Sequence, residues 1–265
     1  YKQVKTRIRQ LEIIGHPVDK IELIVMGGTF TSRDLKYQKW FVKGCYDGMN
    51  SSGSANLEEA KKKNEMAKHR CVGLTVETRP DYMKKKEINQ ILSFGATRVE
   101  LGVQNPDDNI YKITKRGHKI RDVVYSTRLL KDSGFKVCYH IMPNLPGSNL
   151  KKDLRMFKEL FSNPDYKPDM LKIYPTLVVK NSELEKWYLE DKFKPYSDEE
   201  LINLLCKMKL LIPKYVRVMR LQRDVPKKEI VAGCKYSNLR EIVQREMKRK
   251  GLSVSYTHLR AHETP

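Results

Sequence analysis

Ile21-Glu22-Leu23-Ile24-Val25-Met26-Gly27-Gly28-Thr29-Phe30 is an apolar strand that runs directly into a glycine pair. The same plan recurs down the chain: an apolar strand, polar residues at its carboxyl end, then a helical pattern. Later strand ends read Val76-Glu77-Thr78-Arg79-Pro80-Asp81, Val99-Glu100-Leu101-Gly102-Val103-Gln104, Tyr139-His140-Ile141-Met142-Pro143, Leu171-Lys172-Ile173-Tyr174-Pro175 and Arg217-Val218-Met219-Arg220-Leu221-Gln222-Arg223-Asp224. Strands are expected near 21–26, 71–77, 97–103, 136–142, 170–174 and 216–222, and helices near 33–49, 56–69, 84–94, 120–133, 149–162, 197–211 and 236–250. This alternation predicts an α/β fold, a partial (β/α) TIM-like barrel, whose chemistry sits at the carboxyl ends of the strands.

Composition bounds the reading. A chain of 265 residues with 40% hydrophobic residues and a mean hydropathy of −0.61 suits one globular barrel, and no apolar run approaches a membrane span. Five dispersed cysteines, Cys45, Cys71, Cys138, Cys206 and Cys234, have no metal-binding spacing and suggest buried thiols in a reducing cytoplasm. The net charge is +20, with clusters such as Lys61-Lys62-Lys63, Lys84-Lys85-Lys86 and Lys248-Arg249-Lys250. One such cluster is ordinarily a solvated helix face. The total excess steers polyanions to the surface and points to a nucleic-acid partner rather than a membrane.

Alternation along each strand sorts the polar residues onto faces. Thr75, Glu77 and Arg79 share one, Glu100, Gly102 and Gln104 another, and Lys136, Cys138, His140 and Met142 a third. Polar side chains inside a helix-covered sheet need partners, which a ligand or an internal ion pair can supply. Gly27-Gly28 lets backbone approach a ligand closely, so that its N–H and C=O groups can hold a small zwitterion. It also suits an ordinary tight turn, and it lacks the third glycine of a dinucleotide fingerprint.

Taken in order, Met26-Gly27-Gly28-Thr29-Phe30, Glu77-Thr78-Arg79-Pro80-Asp81, Val99-Glu100-Leu101-Gly102-Val103-Gln104, His140-Ile141-Met142-Pro143-Asn144-Leu145-Pro146, Lys172-Ile173-Tyr174-Pro175-Thr176, Gln222-Arg223-Asp224-Val225-Pro226 and Asn238-Leu239-Arg240-Glu241 closely resemble the catalytic subunit of Elongator in its archaeal and bacterial single-protein form. This is a family of radical S-adenosylmethionine enzymes that modify tRNA. The resemblance covers nearly all of residues 1–252. It implies a radical-type barrel holding a four-iron, four-sulfur cluster and S-adenosylmethionine, with acetyl-CoA as co-substrate and carboxymethylation of C5 of the wobble uridine as the outcome.

By the same resemblance, Gly27, Gly28 and Thr29 match the motif that holds the methionyl amine. Glu77, Arg79, Glu100 and Gln104 match positions facing the cofactor and reaction chamber. Lys20 falls where the family has a lysine associated with acetyl-CoA, and Lys172, Tyr174, Arg220 and Arg223 are expected to contact anionic substrate. The family's cluster cysteines lie upstream of the segment beginning at Tyr1, and its acetyltransferase-like domain follows near Gly251. The chain is therefore expected to be an N-terminally truncated core over 1–252, with 253–265 as a non-native tail whose His258 and His262 are no metal site. Asn144 and Asn105 depart in a minor way from residues common in the family. Two alternatives stay open: a radical S-adenosylmethionine enzyme with another substrate, and a non-catalytic tRNA-binding barrel. Whether a second copy or accessory Elongator-like subunits join the assembly is also open.

Overall fold

The computed structural model describes residues 1–253; the remainder of the expected tail, with His258 and His262, lies outside the described residues. Two compact units divide the chain, Tyr1–Leu101 with Leu129–Lys136, and Gly102–Arg128 with Val137 onward. In chain order the first unit contributes α1 (Lys2–Ile13), β1 (Lys20–Val25), α2 (Leu35–Asn50), α3 (Leu57–Glu65), β2 (Arg70–Thr78) and α4 (Lys85–Ser93), and it begins β3 (Arg98–Gln104). The rest comprises α5 (Asp108–Ile113), α6 (Ile120–Asp132), β4 (Lys136–Ile141), α7 (Leu150–Ser162), β5 (Met170–Ile173), β6 (Val178–Val179), α8 (Glu183–Leu189), α9 (Asp198–Leu210), β7 (Arg217–Arg220), β8 (Ile230–Ala232) and α10 (Leu239–Arg249).

The main sheet has the order β1-β2-β3-β4-β5-β7, so neighbours in the sheet follow one another along the chain. That singly wound order is the one a (β/α) barrel uses. Pairing is parallel between β1 and β2, β2 and β3, β4 and β5, and β5 and β7. In the first unit Leu74, Val76, Val99 and Leu101 are fully buried; in the second, Val103, Val137, Tyr139, Ile141, Leu171 and Ile173 are. Both faces of β3 are covered, which is why Arg98 and Glu100 are as buried as the valines beside them.

Local chemistry sets the element ends. The Asp34 carboxylate accepts from Lys36 N–H at 2.8 Å and starts α2, and Ser197 with Glu200 forms the reciprocal capping box that starts α9. The helix expected over 56–69 stops at Glu65 because the Asn64 side chain takes over the backbone bonding. Its amide donates to His69 C=O at 3.0 Å and its carbonyl accepts from Cys71 N–H at 2.7 Å, which turns the chain into β2. The strand expected to 222 ends at Arg220, and Gln222-Arg223-Asp224 lies in the loop beyond. At that sheet edge the Arg240 guanidinium satisfies the carbonyls of Val218 (3.1 Å) and Met219 (3.0 Å). A small antiparallel pair, β6 with β8, was not expected from the sequence. No helix among the described residues is long and apolar enough to cross a membrane.

Candidate functional site

The first unit carries its polar groups at the carboxyl ends of β1 and β2. Gly27 and Gly28 have φ of +114° and +101°, a region essentially closed to residues with a Cβ. Both are exposed, and a Cβ built on either would meet nothing within 4 Å, so the turn faces open space. Conformation, rather than crowding, therefore demands glycine here. Gly27 N–H donates to Glu77 Oε2 at 3.2 Å, joining the turn to the end of β2. Thr78 and Thr31 share a buried hydroxyl contact of 2.6 Å, and Thr31 Oγ1 donates to Tyr82 C=O at 2.9 Å. Thr29 accepts at its carbonyl from Ser32 N–H (3.0 Å) and Ser32 Oγ (2.7 Å), which closes the loop after the glycines. Backbone carbonyls of an exposed turn beside a carboxylate suit an ammonium group, so these residues fit the amine of the methionyl end of S-adenosylmethionine.

Other expected residues of this unit are engaged internally. Arg79 makes a two-point contact with Asp81 at 3.0 and 2.7 Å and lies 5.5 Å from the Tyr82 ring centre. Glu100 is fully buried, with Arg98 Nε 3.9 Å from its carboxylate; Arg98 also reaches Glu22 at 3.4 Å. Glu77 and Glu100 are register partners on β2 and β3. Lys20 is exposed and opens β1, at the opposite end of the strand from Gly27. The six-residue strand that Lys20 opens is about 20 Å long.

In the second unit His140, Lys172 and Arg220 follow one another across β4, β5 and β7, with His140 opposite Lys172 and Lys172 opposite Arg220. His140 meets the edge of the Tyr174 ring at a centroid distance of 5.4 Å. Lys172 is buried, whereas Arg220 is exposed and bonded to Asp224 at 2.8 Å. Arg223 lies beside them in sequence but in a different setting, lining a cavity of about 350 Å³ with Lys227 and Lys235. Gln104 ends β3 at φ +66°, and its side-chain Oε1 is buried without a hydrogen-bond partner. A ligand donor at that oxygen would relieve the cost of leaving it unpaired.

Sequence reasoning missed the bracket around Asp153. This carboxylate, at 0% exposure on α7, accepts from Asn144 N–H (2.7 Å), Tyr196 O–H (2.8 Å), the Asn105 amide (3.4 Å) and the Ser148 hydroxyl. Asn144 Oδ1 in turn accepts from Tyr196 N–H at 2.7 Å. The loops after β3 and β4 and the segment leading into α9 thus share one buried anion. Burial pushes the Asp153 pKa up despite the hydroxyl and amide donors that lower it.

The cysteines do not fit an iron–sulfur cluster. Cys45, Cys138, Cys206 and Cys234 are buried and Cys71 half-buried. They also lie on separate elements, Cys45 on α2, Cys71 on β2, Cys138 on β4 and Cys206 on α9, without the close spacing of a cluster motif.

Residues 3–160 match the sequence profile of the radical SAM superfamily, and residues 168–249 match that of the radical SAM C-terminal domain. A tRNA uridine(34) acetyltransferase of Methanocaldococcus infernus is 56% identical over 252 residues, which cover 95% of this chain and 47% of that protein. Elongator complex protein 3 of Bos taurus is 42% identical, with 95% of this chain and 46% of that protein covered. The chain thus spans about half the length of these curated relatives. The solved structure of the Methanocaldococcus infernus Elp3 lacking residues 1–46 superposes with a TM-score of 0.94 and 56% identity, covering 96% of this chain and 60% of that one. Profile, identity and superposition agree with the parallel strand order: the chain belongs to the radical SAM superfamily and, within it, to the family of the Elongator catalytic subunit.

Proposed function

We propose that residues 1–252 are the S-adenosylmethionine-binding core of an enzyme that carboxymethylates C5 of the wobble uridine of tRNA, using acetyl-CoA as co-substrate. The observation that carries this reading is the open Gly27-Gly28 turn joined to Glu77 at the carboxyl ends of β1 and β2. S-adenosylmethionine, when bound, supplies hydrogen-abstraction chemistry. The chain's own part would be to hold it: the carbonyls of Gly27 and Gly28 and the Glu77 carboxylate would accept from the methionyl ammonium, and Thr29 keeps the loop closed. Glu100 contributes negative charge in the same unit, and Arg79 fixes the β2 end through Asp81. Gln104 offers an acceptor to the substrate side.

Lys20 is assigned to the nucleotide end of acetyl-CoA. Coenzyme A is long and anionic, so a lysine one strand-length from the reacting end suits its phosphates. Lys172, Tyr174, Arg220 and Arg223 are assigned to the anionic substrate. The tRNA partner is supported by the net charge of +20 and by the names of the relatives.

Binding of tRNA by this chain tests the reading against a barrel that acts on a small molecule. The affinity is expected to fall on the order of a thousandfold between roughly 50 and 200 mM salt, because each neutralised phosphate releases counterions. No binding at low salt, or an affinity that ignores salt, would overturn the RNA assignment.

A further inference from the structure

The chain turns out of the glycine loop into a short 3-10 turn over Phe30–Ser32 and then into α2, whose first turns carry an exposed aromatic pair. Trp40 is 68% exposed and Tyr37 41%, their ring centres 5.7 Å apart. Tyr37 rests on Phe41 at 6.2 Å, which itself packs on Phe30 at 5.6 Å. Tyr37 therefore stands on a fixed base, and Trp40 lies against it. The Arg33 guanidinium lies 5.3 Å from the Tyr37 ring centre, and Lys36 and Lys39 are exposed on the same stretch of helix. The one acid there, Asp34, is occupied in capping α2 through Lys36 N–H and Tyr37 N–H. Tyr82, 40% exposed, is tied to the same loop through Thr31.

Such a large exposed indole calls for an occupant. A protein interface would surround it with apolar groups and shed lysines from its centre. Here three cations flank two open rings, which is the chemistry of a single-stranded nucleic acid: bases stack on the aromatic faces while the cations follow the phosphates. We propose that Trp40 and Tyr37 form a stacking platform for unpaired RNA bases, with Arg33, Lys36 and Lys39 holding the flanking backbone. The platform rests on the reading of the chain as an RNA-acting protein, but it is a site separate from the glycine turn. Its position directly after that turn would place an unpaired loop of a folded RNA, rather than a helical stem, next to the cofactor end of the unit.

The chain has two tryptophans, and Trp187→Phe leaves Trp40 as the only indole, so its fluorescence reports the platform alone. Oligouridylate and a fully paired RNA duplex with the same number of phosphates are titrated against this variant. Saturable quenching of Trp40 by oligouridylate and little by the duplex is expected, since only unpaired bases can stack. Trp40→Ala is expected to weaken oligouridylate binding about tenfold with an unchanged salt slope, and Trp40→Phe to restore most of the affinity. Arg33→Gln is expected instead to lower the salt slope by about one.

RNA that binds with Trp40 silent, or an affinity unchanged in Trp40→Ala, would overturn the platform and leave the RNA reading standing. Failure of both RNAs to bind would overturn both. Quenching that follows protein concentration without RNA would make this face a contact between copies of the chain and would likewise refute the proposal.

Discussion

Replacing Asp153 with alanine is expected to lower the unfolding free energy by about 3–5 kcal/mol, because four donors lose their only shared acceptor inside the protein. Asn144 is buried with the carboxylate, so its N–H is left without a partner when the side chain is removed. Asp153→Asn keeps an acceptor but turns a second donor toward groups that already donate, and it is expected to cost less than alanine and more than nothing. The sign of the pH dependence is fixed by the raised pKa of the carboxyl group in the folded chain. A group raised on folding contributes stability that is fully present below its unfolded pKa, near 3.9 for aspartate, and is lost as pH rises through the folded value. Urea unfolding across the acidic range therefore checks two things. The wild-type advantage over Asp153→Asn should be largest at the acid end and shrink as pH rises. A difference that instead shrinks toward the acid end would mean that the donors outweigh burial and hold the folded carboxyl group ionised.

Gly28→Val is expected to produce the largest functional loss with a modest structural one. Valine at φ +101° is strained by about 1–3 kcal/mol, yet nothing crowds the new side chain, so the turn can relax without disturbing the core. That relaxation would displace the carbonyls proposed to hold the methionyl ammonium and move Gly27 N–H away from Glu77. In the full-length enzyme, kcat/KM for S-adenosylmethionine cleavage is expected to fall roughly 100-fold, about 2.7 kcal/mol of lost stabilisation. The melting temperature should move by only a few degrees. Wild-type kinetics in Gly28→Val would remove the turn from the cofactor site; a collapse in melting temperature would make its role structural.

These two positions differ in how readable they were. Gly27-Gly28 stands out because a strand leads into it and because positive φ selects glycine by residue type. Asp153 looks in sequence like any acid in the first turn of a helix capped by Asn149. Its burial depends on Tyr196, 43 residues away, which no local pattern connects to it. The strands of the main sheet were legible because each is an apolar run of four to nine residues with a helix after it. The pair β6 and β8, with two and three residues, is too short for any period, and α5 and α8 span fewer than two full turns. Arg223 was assigned to a strand end because the apolar alternation continues through Leu221. The strand ends instead at Arg220, the last residue paired with β5, opposite Lys172. Trp40 was legible as part of a helix, but only the packing of Tyr37 on Phe41 reveals which face stays open.

The most direct measurement is the nucleoside mass of tRNA after incubation with S-adenosylmethionine, acetyl-CoA and the full-length protein prepared with its cluster. The expected result is a wobble uridine heavier by one carboxymethyl group in the wild-type reaction and unchanged mass with Gly28→Val. Turnover of S-adenosylmethionine with tRNA of unchanged mass would contradict the assignment and make this barrel a radical enzyme for another substrate.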